Sequence, residues 1–523
     1  MGANSNHCHI ALDEEIDLCR RKLSSVLLDS CGYSAEILLD RLMQRIVEIF
    51  IYPHALAFKD ACYEVSTEGL IHGHKIDCSQ ASLEIGEGKL SLTIWQWLKG
   101  YANFLYGWTL SLLAILSFKK THPSHQSSTL LFGMPLERLF NNGSDIDFID
   151  YCHNGPITPL RNGCCFLVET LSQYTVFSHD NFNYTKRPHI KLIREAKLGL
   201  PTRLRLLVTH LSLFFKFFFA AIKMPVLVLI GRDISYGNTL EEIDRRGLID
   251  SVIFTCSNFD SQPLWSRNLI NAKVHMIWYA QNWRPIAYVN DHYISDIPQL
   301  RWIRVDKHWV WTNSFSQYLE NLLQGVSIEV VGPIQLYLPV LKELPSKSQI
   351  VIMVFDISPF SDDVALQTGE ISNYFSIKNL ILFIHGVIEL KNELQVYFNL
   401  PVSLRLKTKR GYKSDYEKYF FDYLDELHDS EKIELIDFNK NVFALIGACD
   451  IVISYPFTST NYVADFLKIP SVYFDPTSTV LNQNFSDNPS FISFANSSRS
   501  LLDICIENLE KNGYQGGGKF GEL

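Results

Sequence analysis

The stretch CDIVISYPFTSTNYVADFLKIPSVYFDP, Cys449 to Pro476, reads as one strand–turn–helix–strand unit. DIVIS is short, apolar and β-branched, as a buried strand requires. Pro456 cannot donate to a sheet ladder, so the chain leaves the strand there. Thr458, Ser459 and Thr460 follow, then STNYVADFLK takes up a helical period and SVYFD returns to a strand. Ser459 or Thr460 suits an N-cap. A helix start carries unpaired N–H groups and a partial positive charge, so it attracts anions. No acidic residue occurs between Ser454 and Val463. Two readings follow. Plain capping accounts for one hydroxyl; a phosphate seat uses all three.

The same alternation extends in both directions. QIVIMVFDISPF, PVSLRLKTKR, IELID, DIVIS and SVYFD are expected strands, separated by helical segments such as KNLILFIHGVIELKNEL and DYEKYFFDYLDELH. This defines a domain over 346–512. Upstream, over 126–340, the expected strands are TLLFGM, GCCFLVET, PVLVLIG, DSVIFTC, VHMIWYA, HWVWT and IEVVGP. Strands alternating with helices imply a mainly parallel sheet covered on both faces. Pro333, Pro339 and Pro345 cannot share one helix, so Gly332 to Gln349 is read as the linker. Residues 1–125 read as a mainly helical accessory region. Two α/β halves on a short linker enclose a cleft, and ligands of such sheets bind beyond the carboxyl ends of strands.

Composition narrows the class. At 523 residues the chain exceeds one ordinary core. A charged fraction of only 20% against 47% hydrophobic excludes a disordered chain. A net charge of -9 argues against wholesale nucleic-acid binding. The eleven cysteines form no C-x-x-C pair and show no metal-ligand spacing with the histidines, which suits a reducing cytosol. No secretory signal pattern is read at the start of the sequence.

Residues just past strand ends are therefore the candidate site residues. Arg405, Lys407, Lys409 and Arg410 form a basic cluster, to be weighed as a counter-charge for phosphate or as a solvated edge. Asp356 and Ser358 follow the first strand of the second domain, Ser454 ends DIVIS, and Asp475 ends SVYFD, able to accept from a ribose or to cap a turn. In the first domain, VHMIWYAQN carries His275, Tyr279 and Asn282 across a strand end, and PVLVLIG is followed by Arg232 and Asp233. Transfer to a sugar hydroxyl needs a general base, for which Asp233 and His275 are the candidates.

Two segments bear on membranes. Gly100 to Phe118 is uncharged and flanked by lysines, at the threshold of a spanning helix, with a helix lying on the membrane and a buried helix of a globular domain as the other two readings. Arg203 to Pro225 places a basic stripe on an otherwise Leu/Val/Phe helix, which suits either the headgroup region or packing on a sheet.

SYPFTSTNYVADFLKIPSVYFDP resembles the bacterial surface-polysaccharide biosynthesis proteins named for their PFTS motif, here Pro456, Phe457, Thr458 and Ser459. KTKR before GY, VFDISP, MIWYAQN and VVGPI look like further blocks of that family, and the resemblance runs from about 130 to 485. It implies an inverting-type glycosyltransferase with two Rossmann-like domains facing across a cleft, the GT-B arrangement. The N-terminal half would hold a saccharide or lipid-linked acceptor, and the C-terminal half a nucleotide-sugar donor. Thr458, Ser459 and Thr460 would contact donor phosphate, with Lys407, Lys409 and Arg410 nearby, and neither metal nor other cofactor is expected. The cysteine pattern and the two apolar segments, for their part, suit a cytoplasmic location with peripheral contact at the inner membrane face. Two rival readings are a nucleotide-sugar epimerase of the same two-domain form and a non-catalytic, membrane-associated assembly factor.

Overall fold

The computed structural model describes residues 16–516, apart from 18, 22, 26, 28, 49–75, 78–81, 86–87, 92, 118–126, 134–144, 170–177, 180–181, 197, 257–261, 281–288, 290–297, 324, 337, 339–346, 360–372, 412–417 and 482–490. The accessory region contains helix α1 (Ala35–Ile46), a small antiparallel sheet of β1 (Ile76–Asp77), β2 (Ser82–Ile85) and β3 (Gly88–Ser91), and the long helix α2 (Ile94–Leu116). Helix predominates among the described residues of this region, as expected, and the small sheet is an addition to it.

An eight-stranded sheet follows. Its strands are β4 (Ser128–Phe132), β5 (Phe166–Glu169), β6 (Ser178–His179), β7 (Phe182–Thr185), β8 (Ile249–Thr255), β9 (Lys273–Ile277), β10 (Lys307–Val310) and β11 (Ser327–Val330), in the order β11-β10-β9-β8-β4-β5-β7-β6. Only β6 runs antiparallel to its neighbour. The second sheet has six parallel strands, β12 (Ile350–Phe355), β13 (Val402–Lys407), β14 (Glu434–Ile436), β15 (Ile451–Ser454), β16 (Ser471–Phe474) and β17 (Ile492–Ala495), in the order β14-β13-β12-β15-β16-β17. Every residue of β12, β15 and β16 is buried, as continuous apolar strands covered on both faces should be. Two Rossmann-like units are thus present, as expected. Their carboxyl-end loops meet: the Val289 N–H, beyond β9, donates to the Thr479 carbonyl, beyond β16, at 2.8 Å.

One expected strand is overturned. PVLVLIG is a buried 3-10 helix, Pro225–Ile230, not a strand. It continues directly from helix α3 (Leu200–Lys223) and is packed against α2 closely enough that a Cβ at Gly100 would lie 2.6 Å from the Val228 carbonyl oxygen. A short apolar run has no periodicity to separate strand from buried helix, and here packing decided. Arg232 and Asp233 therefore sit in the short helix Gly231–Ile234 rather than past a strand end.

Candidate active site

Chain order and spatial order part company in both sheets. In the second sheet the chain lays down β12, β13 and β14 outward on one side, then returns to place β15 against the other side of β12. This reversal between β12 and β15 is a topological switch point, where loops diverge and leave a crevice at the carboxyl ends. Lys407, Phe355, Ser454 and Tyr473 lie in one row across that edge, by the registers Phe355↔Lys407, Phe355↔Ser454 and Ser454↔Tyr473. The PFTS turn leaves β15, and Asp356 and Ser358 leave β12, so they flank the switch point.

The turn is braced from beneath. Phe457 adopts φ +62°, a left-handed conformation costly for a bulky residue, and packs on the Tyr473 ring at 5.5 Å. The Tyr473 hydroxyl donates to the Thr458 carbonyl at 2.7 Å, and the Tyr455 hydroxyl to the Tyr374 carbonyl at 2.7 Å. The buried Ser454 hydroxyl donates to the Asn461 side-chain carbonyl. Thr458 Oγ1 and Thr460 Oγ1 lie 3.0 Å apart, paired to each other. Helix α4 (Thr460–Phe466) begins here with Ser459 at the N-cap position, but Ser459 is helical in φ and ψ and its side chain makes no capping bond. Capping by side chain, the first of the two readings of the hydroxyl cluster, is not what the turn does.

The basic cluster divides. Strand β13 stops at Lys407, so Lys409 does not share its face. Arg405 pairs with Glu434 at 3.0 Å on the sheet surface. Lys407 is buried and donates to the Phe438 carbonyl at 2.7 Å. The Lys409 N–H donates to Asp356 Oδ1 at 2.5 Å. Arg410 is half-buried, with Nη1 buried and lacking a hydrogen-bond partner among the described residues. Burial pushes the Asp356 carboxyl up to about 7, against the opposing pull of the Lys409 N–H and the Lys407 and Lys409 charges. Asp475 is fully buried, and its oxygens accept from the Thr477 N–H and hydroxyl and from the Val480 N–H, so it caps its own turn.

The first-domain candidates are not brought together. Asp233 Oδ2 accepts from Arg41 Nε of α1 at 2.6 Å and lines a cavity beyond the eight-stranded sheet. His275 is in the middle of β9, not at its end. Burial lowers its pKa to about 4, and the charges acting on it, Asp306, Lys307 and Lys273, lie at the amino ends of β9 and β10. Tyr279 lies two residues past β9, packed on apolar residues of both faces, and Asn282 lies outside the described residues. The cavity also shows what strand-end reasoning missed. Glu169 ends β5, a predicted strand, and was open to the same rule. His189, in the helix Pro188–Glu195, and Arg41 carry no sequence signal that links them to it.

The polysaccharide biosynthesis PFTS motif protein family matches residues 213–502, more than half of the chain. The chain belongs to that family. No curated protein sequence matches it. Solved structures with a similar course include the wall teichoic acid polymerase TagF, at 12% identity over 80% of this chain and 90% of that one, TM-score 0.39. A sucrose-phosphate synthase from Thermosynechococcus elongatus aligns at 10% identity over 75% and 91%, TM-score 0.38. HepE from Anabaena, solved with UDP and glucose, aligns at 13% over 75% and 92%, TM-score 0.35. At these scores the likeness adds nothing to the strand order described above. Among the described residues no group of three or more His, Cys, Asp or Glu is arranged to hold a metal ion.

Proposed function

We propose that this protein is a glycosyltransferase of bacterial surface-polysaccharide biosynthesis, moving a sugar from a nucleotide-sugar donor to a saccharide or lipid-linked saccharide. The observation that carries this reading is the coincidence of the PFTS turn and the Asp356 loop with the switch point of the six-stranded sheet. The donor's phosphates rest against Thr458, Ser459 and Thr460 and the first-turn amides, with Arg410 and Lys409 meeting the charge that grows on the leaving diphosphate, in place of a metal. In the transfer, an acceptor hydroxyl attacks the anomeric carbon, the bond to the nucleoside diphosphate breaks, and the hydroxyl proton passes to a base. Asp233, oriented by Arg41, is the base we favour; mid-strand His275 has no part in this reading.

The test is calorimetric titration with UDP-, GDP- and CMP-sugars. One of them binds, and Thr458→Ala combined with Arg410→Gln weakens that binding at least tenfold. No binding by any of the three rejects the reading. Product analysis with donor alone separates the rivals, because an epimerised sugar without acceptor is the outcome of an epimerase. A chain that binds donor but converts nothing is the assembly factor.

We further propose work at the cytoplasmic face of the inner membrane. Helices α2 and α3 pack side by side, bury Phe104, Leu213 and Phe217 between them and the core, and leave Trp95, Tyr106, Leu113, Val208, Phe215 and Phe219 exposed on the outside. Neither helix contains an acidic residue, and Lys99, Lys216 and Lys223 are exposed. Among the described residues, α3 alone is long and apolar enough to cross a membrane. Its buried inner stripe favours a helix lying in the headgroup region instead.

A further inference from the structure

The eight-stranded sheet has its own switch point, between β4 and β8, and a cavity of about 330 Å³ opens there. Phe132, Glu169 and Phe254, the residues at or next to the carboxyl ends of β4, β5 and β8, form its floor. A volume of that size, at the place where parallel sheets bind ligands, suits one small molecule. We propose that this cavity is the acceptor subsite and takes one monosaccharide unit bearing an acidic group. The word acceptor rests on the glycosyltransferase reading; the ligand chemistry does not.

The walls support this ligand in three ways. His189 is buried, lines the cavity, and has neither ring nitrogen hydrogen-bonded among the described residues. Such a buried polar group is costly unless a ligand satisfies it. Burial pushes its pKa down to about 3, so the ring is neutral, with one nitrogen to donate and one to accept. That pairing matches sugar hydroxyls, which do both. Trp265 and the two phenylalanines add the aromatic surface on which a sugar's C–H face can rest. Charge completes the match. Arg41 and Arg45 are each paired, with Asp233 and Glu48, whereas Arg232 makes no ion pair within 4 Å among the described residues and is exposed at the cavity. Its guanidinium meets the Tyr236 hydroxyl and acts on the Glu169 carboxyl across the cavity, and an acidic substituent would add an ion-pair partner in direct contact.

Much of this wall lies outside the family match. Arg41 and Arg45 come from α1 and Asn103 from α2; Phe132, Glu169 and His189 also precede residue 213. The accessory helices thus finish a pocket whose floor belongs to the sheet, so acceptor choice is shared between residues ahead of the family match and residues within it, Arg232 and Trp265 among the latter. Helix α2 also carries the exposed apolar face, which puts the cavity beside it.

The test is calorimetric titration of the full-length chain with glucose 1-phosphate, glucuronate, glucose and inorganic phosphate, and separately with UDP. At least one acidic sugar is expected to bind tenfold or more tightly than glucose and than phosphate alone, and the two acidic sugars distinguish a phosphate from a carboxylate. Arg232→Gln and His189→Gln should each weaken that binding at least tenfold, while melting temperature and UDP affinity stay at wild-type values. Arg232 is exposed, so its variant keeps the experiment decisive if the His189 variant fails to fold. Equal affinity for glucose, no sugar binding at all, or an Arg232 variant that binds as wild type overturns the proposal. Acidic-sugar binding without UDP binding sustains it and counts against UDP as the donor nucleotide instead.

Discussion

Asp356 is a carboxyl group at the end of a central strand, 3% exposed, with Oδ1 taking the Lys409 N–H and Oδ2 buried without a hydrogen-bond partner among the described residues. Its pKa is raised from about 4 to about 7, so between those values the folded chain binds more protons than the unfolded one. This contribution to stability is fully present below about pH 4 and is lost as pH rises through 7. Asp356→Asn keeps the Oδ1 acceptor and should abolish that slope, raising the melting temperature at pH 8 relative to wild type; unchanged pH dependence would refute the assignment. The buried histidines work in the opposite sense. Burial lowers His189 and His308 to about 3 and His275 to about 4. The unfolded chain then binds more protons below about pH 6.5, so their contribution is present above that value and is lost as pH falls towards 3. Differencing the melting curves of Asp356→Asn and wild type removes this shared component. In catalysis, Asp233→Asn retains an oxygen for Arg41 but cannot take a proton, so turnover should fall by about 100-fold or more with donor affinity unchanged. A wild-type rate would remove Asp233 from the mechanism.

Helix α2 packs against the 3-10 turn after α3 and the segment that follows it at distances that only small residues permit. A Cβ on Gly107 would come within 2.2 Å of Ser235 Oγ and 3.2 Å of the Tyr236 ring. Gly107→Val should therefore cost about 1–3 kcal/mol, read as a lower midpoint in urea unfolding with an unchanged slope. An unchanged midpoint would mean that the helix is not seated as described. The same crowding explains the failed strand at PVLVLIG. Its β-branched composition argues for a strand, but it enters from a 24-residue helix and is enclosed by α1, α2 and α3, where a strand would find no partner. In the second domain the local signals agreed with the packing. All five expected strands formed, and Pro456 ended β15 where the ladder rule requires. Only β17, a half-buried edge strand, went unread.

For the whole molecule, the consequence of the α2–α3 face is an association with lipid. Sedimentation with vesicles rich in phosphatidylglycerol should carry the protein down, and less so at high salt, because the exposed lysines act through a screened charge. Phe215→Asp with Phe219→Asp should abolish sedimentation while leaving soluble donor binding intact; a wild-type chain that stays in the supernatant would reject the membrane reading. Order along the chain, most strand and helix types (PVLVLIG and β17 excepted), the two-domain division and the PFTS turn were legible in the sequence because each depends on near neighbours: periodicity, a proline, a run of hydroxyls. The partners of the site residues were not. Lys407 turned inward to a carbonyl and Asp233 met an arginine 192 positions away, while the structure chose turn capping from the two readings of Asp475. Strand order is non-local, so the two switch points, and the cavity that residues 41, 169, 189 and 232 share, came into being only when the chain closed on itself.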